Sequence, residues 1–152
     1  LNHLITEDTL YNPTITVGGF IIYRSNFEKS IARNLEKRGE VFEYESVTLP
    51  YWKFIRSAKC KQCGSINVGS LHTYTPDFLL IKTSILVEAK GNLDSKTRTK
   101  MLAVKASNPD IDLRFLFMYD NWITKKHKAR YSDWCIRNNF LFAFMEIPED
   151  WL

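Results

Sequence analysis

Apolar positions change their spacing several times along the chain, and each change predicts an element. Phe27, Ile31 and Leu35 recur every four residues, which draws one stripe along a helix. Ser25-Asn26-Phe27-Glu28 ahead of them is a capping-box sequence, with Ser25 as N-cap and Glu28 reaching back to it. Gly39 is placed to end that helix. Residues 41–49 then alternate, Phe42 and Tyr44 against Glu43 and Glu45, as a strand with one wet face does. Residues 50–70 are the least regular stretch. Two apolar runs, 74–81 and 85–90, are separated only by Lys82-Thr83-Ser84 and read as a hairpin. Asp94 or Ser95 caps a second helix, which runs to Ser107 and stops before Pro109. Residues 113–119 are nearly all apolar and suit a central strand buried on both faces. A basic loop, 125–130, precedes a short helix capped by Ser132 and carrying Trp134, Cys135 and Ile136, and 140–144 reads as a last strand. Residues 1–22 have weak periodicity, with Gly18-Gly19 as a turn, and read as an arm ahead of a single domain over 23–152. This order of elements predicts an α/β fold, a mixed central sheet flanked by helices.

Composition narrows the class. At 152 residues, 45% hydrophobic and 25% charged, the chain suits one globular domain and excludes a disordered or collagen-like polymer. No apolar run approaches the roughly 18–20 residues of a spanning helix, so no membrane partner is expected. The opening LNHLITEDTL lacks a basic n-region followed by a long apolar stretch, so no secretory signal is expected and the location is read as cytoplasmic. The first residue is Leu rather than an initiator Met, which fits a piece of a longer product. Three cysteines, an odd number, argue against a disulfide framework and for a reducing compartment. A net charge of +4 at pH 7 permits a polyanionic partner.

The hairpin holds the informative chemistry. A tight turn at 82–84 puts Asp77 opposite Glu88 or Ala89, and opposed residues lie about 4.5–5.5 Å apart at Cβ, so the two carboxylates can share one ion. Glu88 and Lys90 are two apart and therefore on one face of their strand. Like charges among Phe78, Leu79, Leu86 and Val87 repel unless a cation sits between them. Hard oxygen ligands suit Mg²⁺ or Mn²⁺, with water and substrate phosphate filling the remaining positions. Lys90 beside such an ion can orient or deprotonate an attacking water, or neutralise a phosphate. The plainer alternative is an Asp at a strand entry and a solvent-facing Glu–Lys pair that does nothing measurable. The coincidence of all three between apolar runs favours a site.

These residues also carry a resemblance. Pro76-Asp77 followed by Glu88-Ala89-Lys90 fits the Pro-Asp … Asp/Glu-x-Lys pattern of the restriction-endonuclease-like nuclease superfamily. Arg24-Ser25-Asn26-Phe27-Glu28, Phe42-Glu43-Tyr44-Glu45, the run HTYTPDFLL over 72–80, and Val87-Glu88-Ala89-Lys90-Gly91 add to it. So do Asn108-Pro109-Asp110-Ile111-Asp112-Leu113-Arg114 and the closing Ile147-Pro148-Glu149-Asp150-Trp151. Over most of 24–152 the chain resembles the phage endonuclease I family of Holliday-junction-resolving enzymes.

The resemblance implies a restriction-endonuclease-like core and a homodimer with exchanged segments. It implies a Mg²⁺- or Mn²⁺-dependent endodeoxyribonuclease that resolves four-way junctions and other branched double-stranded DNA, leaving a 5′-phosphate; if phage-encoded, it acts in the host cytoplasm. Asp77 and Glu88 would be metal ligands, Lys90 the catalytic lysine, and Glu28 a further acid of the catalytic and metal site, supplied by the partner subunit. From the residues alone the capping box is the better account of Glu28. Its position on the helical wheel, about 100° from Phe27 and beside the Ile31/Leu35 stripe, also lets it point into a cleft. Two other functions stay open: a non-catalytic DNA-structure-binding protein, and a sequence-specific restriction-type endonuclease.

The departure from the family lies in an inserted linker, 51–71, which contains Cys60-Lys61-Gln62-Cys63-Gly64. A lone C-x-x-C is half of a Cys₄ site, so Cys60 and Cys63 from two copies could share one structural Zn²⁺. His72 and Cys135 are other candidate ligands, and a pair of reduced thiols on a turn is the alternative. Arg24, Lys96, Arg98, Lys100, Lys105, Lys125, Lys126, Lys128 and Arg130 are candidate phosphate contacts, which dominate DNA affinity without reading sequence. Trp122, Trp134 and Trp151 are expected in packing, and His3 and His127 in solvent.

Overall fold

The computed structural model describes residues 10–11, 16–17, 20–59, 61–64, 66–124, 126 and 128–152. Three short strands come first: β1 (Leu10–Tyr11), β2 (Thr16–Val17) and β3 (Phe20–Ile21), of which β2 pairs antiparallel with β3. Helix α1 (Asn26–Lys37) follows its N-cap Ser25, as the capping box predicts, and buries Phe27, Ile31, Ala32 and Leu35 along one stripe. Gly39, at φ +73°, takes the left-handed position past the end of that helix.

The predicted strand over 41–49 divides in two. Glu45 sits at φ 49°, a left-handed conformation no strand accommodates, so β4 (Phe42–Tyr44) ends there and β5 (Val47–Lys59) starts beyond it. Strand β5 then pairs antiparallel with β6 (Ile66–Tyr74), Tyr51 opposite His72 and Phe54 opposite Gly69. The stretch read as least regular is therefore largely a long hairpin, and β1 adds to its base beside Val47 and Thr48. Periodicity missed it because Trp52, Phe54 and Leu71 are exposed, so the apolar/polar alternation of a half-buried strand is absent. Tyr74 closes β6 instead of opening the next strand.

The main sheet has the order β10–β9–β8–β7–β4. Strands β7 (Phe78–Leu80) and β8 (Ile85–Lys90) form the expected hairpin, Phe78 opposite Val87. Helix α2 (Ser95–Ser107), capped by Asp94 as expected, leads to β9 (Leu113–Phe117), parallel to β8. Helix α3 (Tyr131–Arg137) leads to β10 (Phe142–Phe144), parallel to β9. Its N-cap is Arg130 and not Ser132, because the Asp133 carboxylate accepts the Arg130 backbone N–H at 2.7 Å. A single 3₁₀ turn, Glu149–Trp151, ends the chain.

The mixed α/β sheet is covered on both faces. Phe27, Ile31, Leu35 and Trp151 pack with Phe78, Leu80, Val87 and Leu116 on one side, and Met101, Val104, Trp134 and Cys135 pack with Leu79, Leu86, Phe115 and Phe117 on the other. Each such side chain contributes about 1.5–3 kcal/mol by leaving water. Strand β8, in the middle, is buried from Ile85 to Ala89. Any charge on it is thereby placed in a dry environment. Among the described residues no helix is long and apolar enough to cross a membrane.

Candidate active site at the end of the central strand

The register that sets Phe78 opposite Val87 brings Asp77 to the level of Glu88, and the Ala89 N–H donates to Asp77 Oδ2 at 2.8 Å. Val87 and Ala89 enter the core on the α1 side, so the alternation of the strand sends Glu88 and Lys90 to the other face. There Lys90 Nζ lies 2.6 Å from Glu88 Oε1, while the Tyr74 hydroxyl donates to Glu88 Oε2. Glu88 is only 2% exposed and Asp77 8%. Removing such charges from water costs several kcal/mol per ion unless their partners offset it.

Compensation here is incomplete. Burial, and next the Glu88 carboxylate, push Asp77 up to about 7 against the partial pull of Lys90. Burial draws Lys90 down, but the Glu88, Asp77 and Glu28 carboxylates outweigh it and hold the ammonium above its ordinary value. One lysine faces several acids.

Glu28 fills two roles. Ser25 Oγ donates to its Oε1 at 2.6 Å and its own N–H donates to Ser25 Oγ at 3.2 Å, so the N-cap bond is made and Glu28 reaches back to the Ser25 hydroxyl. Its Oε2 accepts the Tyr44 hydroxyl at 2.5 Å and the Arg24 N–H at 3.1 Å. It is 8% exposed and within electrostatic reach of Asp77 and Lys90 of the same chain. Capping and membership of the acidic cluster are compatible because they use different edges of one carboxylate.

Three members of the cluster escape sequence reading. Glu45, read as facing water, donates its backbone N–H to the Asp77 carbonyl at 2.9 Å. Its side chain is pushed above the ordinary carboxylate range by burial and by Glu28 and Glu88, while Arg24 Nε, 2.8 Å away but not aligned as a hydrogen bond, opposes this. Tyr44 and Tyr74 are the others, each a buried hydroxyl on a site carboxylate. Burial, with the carboxylate beside each, drives both phenols upward, so both stay proton donors. The position of Tyr74 inside HTYTPDFLL is the one signal that pointed to it.

The donor set fits a hard divalent cation. It consists of carboxylate oxygens with an excess of negative charge, and each oxygen of Asp77 and Glu88 keeps a lone pair beyond its hydrogen bond or ion pair. Among the described residues no three His, Cys, Asp or Glu side chains form a cage on their own. Two carboxylates completed by water and phosphate is the arrangement Mg²⁺ prefers.

The proposed zinc ligands lie in different surroundings where the structure describes them. Cys60 lies outside the described residues, and Cys63 is exposed on the turn between β5 and β6. Cys135 is buried in the α3 core, and burial pushes its thiol up to about 12. His72 stacks on Tyr51 with ring centroids 5.6 Å apart and pairs with Ser70 Oγ at 2.8 Å.

The basic candidates also divide. Arg24, Lys96, Lys126 and Lys128 present exposed side chains, and Lys100 Nζ lies 4.8 Å over the Tyr74 ring. Arg98 donates to the Leu93 carbonyl at 2.7 Å, and Lys105 to the carbonyls of Asn138 and Asn139, so these two brace α2. Arg130 lies 4.2 Å over Trp122 and donates to the Asp120 carbonyl at 2.9 Å. Trp122, expected in packing, is instead 41% exposed beneath that guanidinium, whereas Trp134 and Trp151 are buried as expected. Lys125, His127 and His3 lie outside the described residues.

Comparison with known proteins gives an independent line. The family profile described as Phage endonuclease I matches residues 12–152. Endonuclease I of Escherichia phage T7 is 34% identical over 133 residues, 86% of this chain and 78% of the relative. Endodeoxyribonuclease 1 of Enterobacteria phage T3 is 33% identical over 127 residues, 83% of this chain and 74% of the relative.

Proposed function

The chain belongs to the phage endonuclease I family, and from that premise we propose that it is a Mg²⁺- or Mn²⁺-dependent endodeoxyribonuclease cutting four-way junctions and other branched duplex DNA. The observation that carries this reading is the buried group of Asp77, Glu88 and Lys90 with more negative charge than its one lysine balances.

Asp77 and Glu88, with Glu28 beside them, would hold the cation. When bound, it supplies Lewis-acid neutralisation of the scissile phosphate and makes a coordinated water acidic. The chain's own groups do the rest. Tyr74 and Tyr44, as donors, fix the edges of Glu88 and Glu28. Lys90, kept protonated by the surrounding carboxylates, brings positive charge to where the phosphate gains negative charge. In the displacement a water oxygen bonds to phosphorus and its proton passes to solvent. The bond to the 3′-oxygen breaks and that oxygen takes a proton from solvent, which leaves a 3′-hydroxyl and a 5′-phosphate. A homodimer would set two such sites across one junction.

A protein that only bound DNA would gain nothing from burying Asp77 and Glu88, and this counts against the non-catalytic reading. The test compares a four-way junction with linear duplex, in Mg²⁺ for cleavage and in Ca²⁺ for binding. Glu88→Ala and Lys90→Ala should bind the junction as wild type does and cut it about 10²- to 10⁴-fold more slowly. Wild-type rates in either variant would overturn the assignment, and cleavage confined to one sequence in linear DNA would favour the restriction-type reading.

A further inference from the structure

An open groove of about 800 Å³ runs between β5 and α2. Tyr51, Trp52 and Phe54 line one wall, and Lys96, Thr99 and Lys100 the other, with Lys53 at the strand side. Among the described residues no carboxylate lines it, and its charged side chains are all lysines.

The aromatic wall is built. Trp52 and Phe54 are two apart on one face of β5, with ring centroids 6.5 Å apart and planes 24° from parallel. They are 48% and 62% exposed. Opposite Phe54 stands Gly69, where a Cβ would come within 2.9 Å of the Phe54 ring and 3.3 Å of the Trp52 ring. The rings occupy space that a side chain on β6 would take. One lysine of the groove also reaches toward the site: Lys100 lies over the Tyr74 ring, whose hydroxyl donates to Glu88.

We propose that this groove binds an unpaired DNA strand, its bases stacking on Trp52 and Phe54 and its phosphates meeting Lys53, Lys96 and Lys100. The inference rests on the nuclease reading and extends it to the substrate's single-stranded segments. A polyanion suits a lining whose charged side chains are lysines, and flat apolar faces suit Trp52 and Phe54. Duplex DNA offers the first but keeps its bases stacked inside; a single strand offers both. A second copy of this chain fits worse, since it is itself net positive at +4 and would bring excess positive charge to a lysine-lined groove.

The experiment measures affinity for a labelled oligothymidylate and for a blunt duplex by anisotropy in EDTA, where no cleavage occurs. In Trp52→Ala the ratio of single-strand to duplex affinity should fall roughly five- to a hundredfold. Trp52→Phe should restore most of it. Gly69→Val, which leaves both rings in the chain but displaces them, should lower the ratio as well. An unchanged ratio in Trp52→Ala, or an equal loss on both ligands, overturns the proposal. So does a change of mass in sedimentation accompanying the loss, which would give the face to a second copy. Because binding is read without turnover, failure of the Glu88 and Lys90 cleavage test leaves this result distinguishable.

Discussion

Two antiparallel hairpins of this protein handle difficult side chains in opposite ways. The β7–β8 hairpin is short, lies mid-sheet and places Asp77 and Glu88 where water is nearly absent. The β5–β6 hairpin is long and leaves Trp52, Phe54 and Leu71 in water. One buries charge and the other exposes apolar rings, and neither arrangement is what stability alone would select. In both places the unfavourable term is confined to one strand face and is accompanied by built partners: Tyr74 and Lys90 for Glu88, and Gly69 for the rings. Uncompensated free energy gathered in one place, with surroundings shaped to hold it, marks where a ligand is expected to make up the difference.

The comparison breaks most readily at Lys90. Lys90→Ala removes the ammonium beside a 2% exposed carboxylate and should lower the unfolding free energy in EDTA by about 3 kcal/mol at pH 8. Lys53→Ala on the other hairpin should change it by less than about 0.5 kcal/mol. Equal losses by urea unfolding would show that the two hairpins do not differ in this way.

A smaller effect sharpens the contrast through pH. Asp77 holds its proton up to about 7 in the folded chain, whereas an unfolded aspartate loses it near the ordinary value of 3.8. Its contribution is therefore fully present below the unfolded value and is lost as pH rises through the folded one. In EDTA, stability should fall by about 1 kcal/mol per pH unit between pH 5 and 7. Asp77→Asn, whose side-chain oxygen can still accept the Ala89 N–H, should flatten that slope and be more stable than wild type at pH 8 while being unable to cut. A slope unchanged in the variant would separate Asp77 from the pH dependence.

The smallest effect belongs to the outer hairpin. Trp52→Ala should leave thermal and urea stability within about 0.5 kcal/mol of wild type, since the ring is half in water already. A loss of 2 kcal/mol would mean that the ring packs in the folded state and is not held out for a ligand.

Much of the site was legible because its parts are local. Ser25 and Glu28 cap a helix three residues apart, and the turn at 82–84 fixes the level of Asp77 against Glu88 through hydrogen bonds that follow from register alone. Lys90 shares a face with Glu88 by the two-residue period of any strand. The β5–β6 hairpin was not legible, because its apolar residues face water and so lack the alternation that burial imposes. The left-handed Glu45 broke a strand that its residues described as continuous.

The sequence by itself determined the helices, the charged hairpin and the family, since each depends on contacts within a few residues or on an ordered set of motifs. Only the tertiary structure decided that Tyr44 and Tyr74 hold the two glutamates, that Glu45 lies against Asp77, and that Cys135 belongs to the core. Those pairings join strands and helices distant along the chain. Nothing in a residue's own neighbourhood states which remote surface the sheet will fold against it.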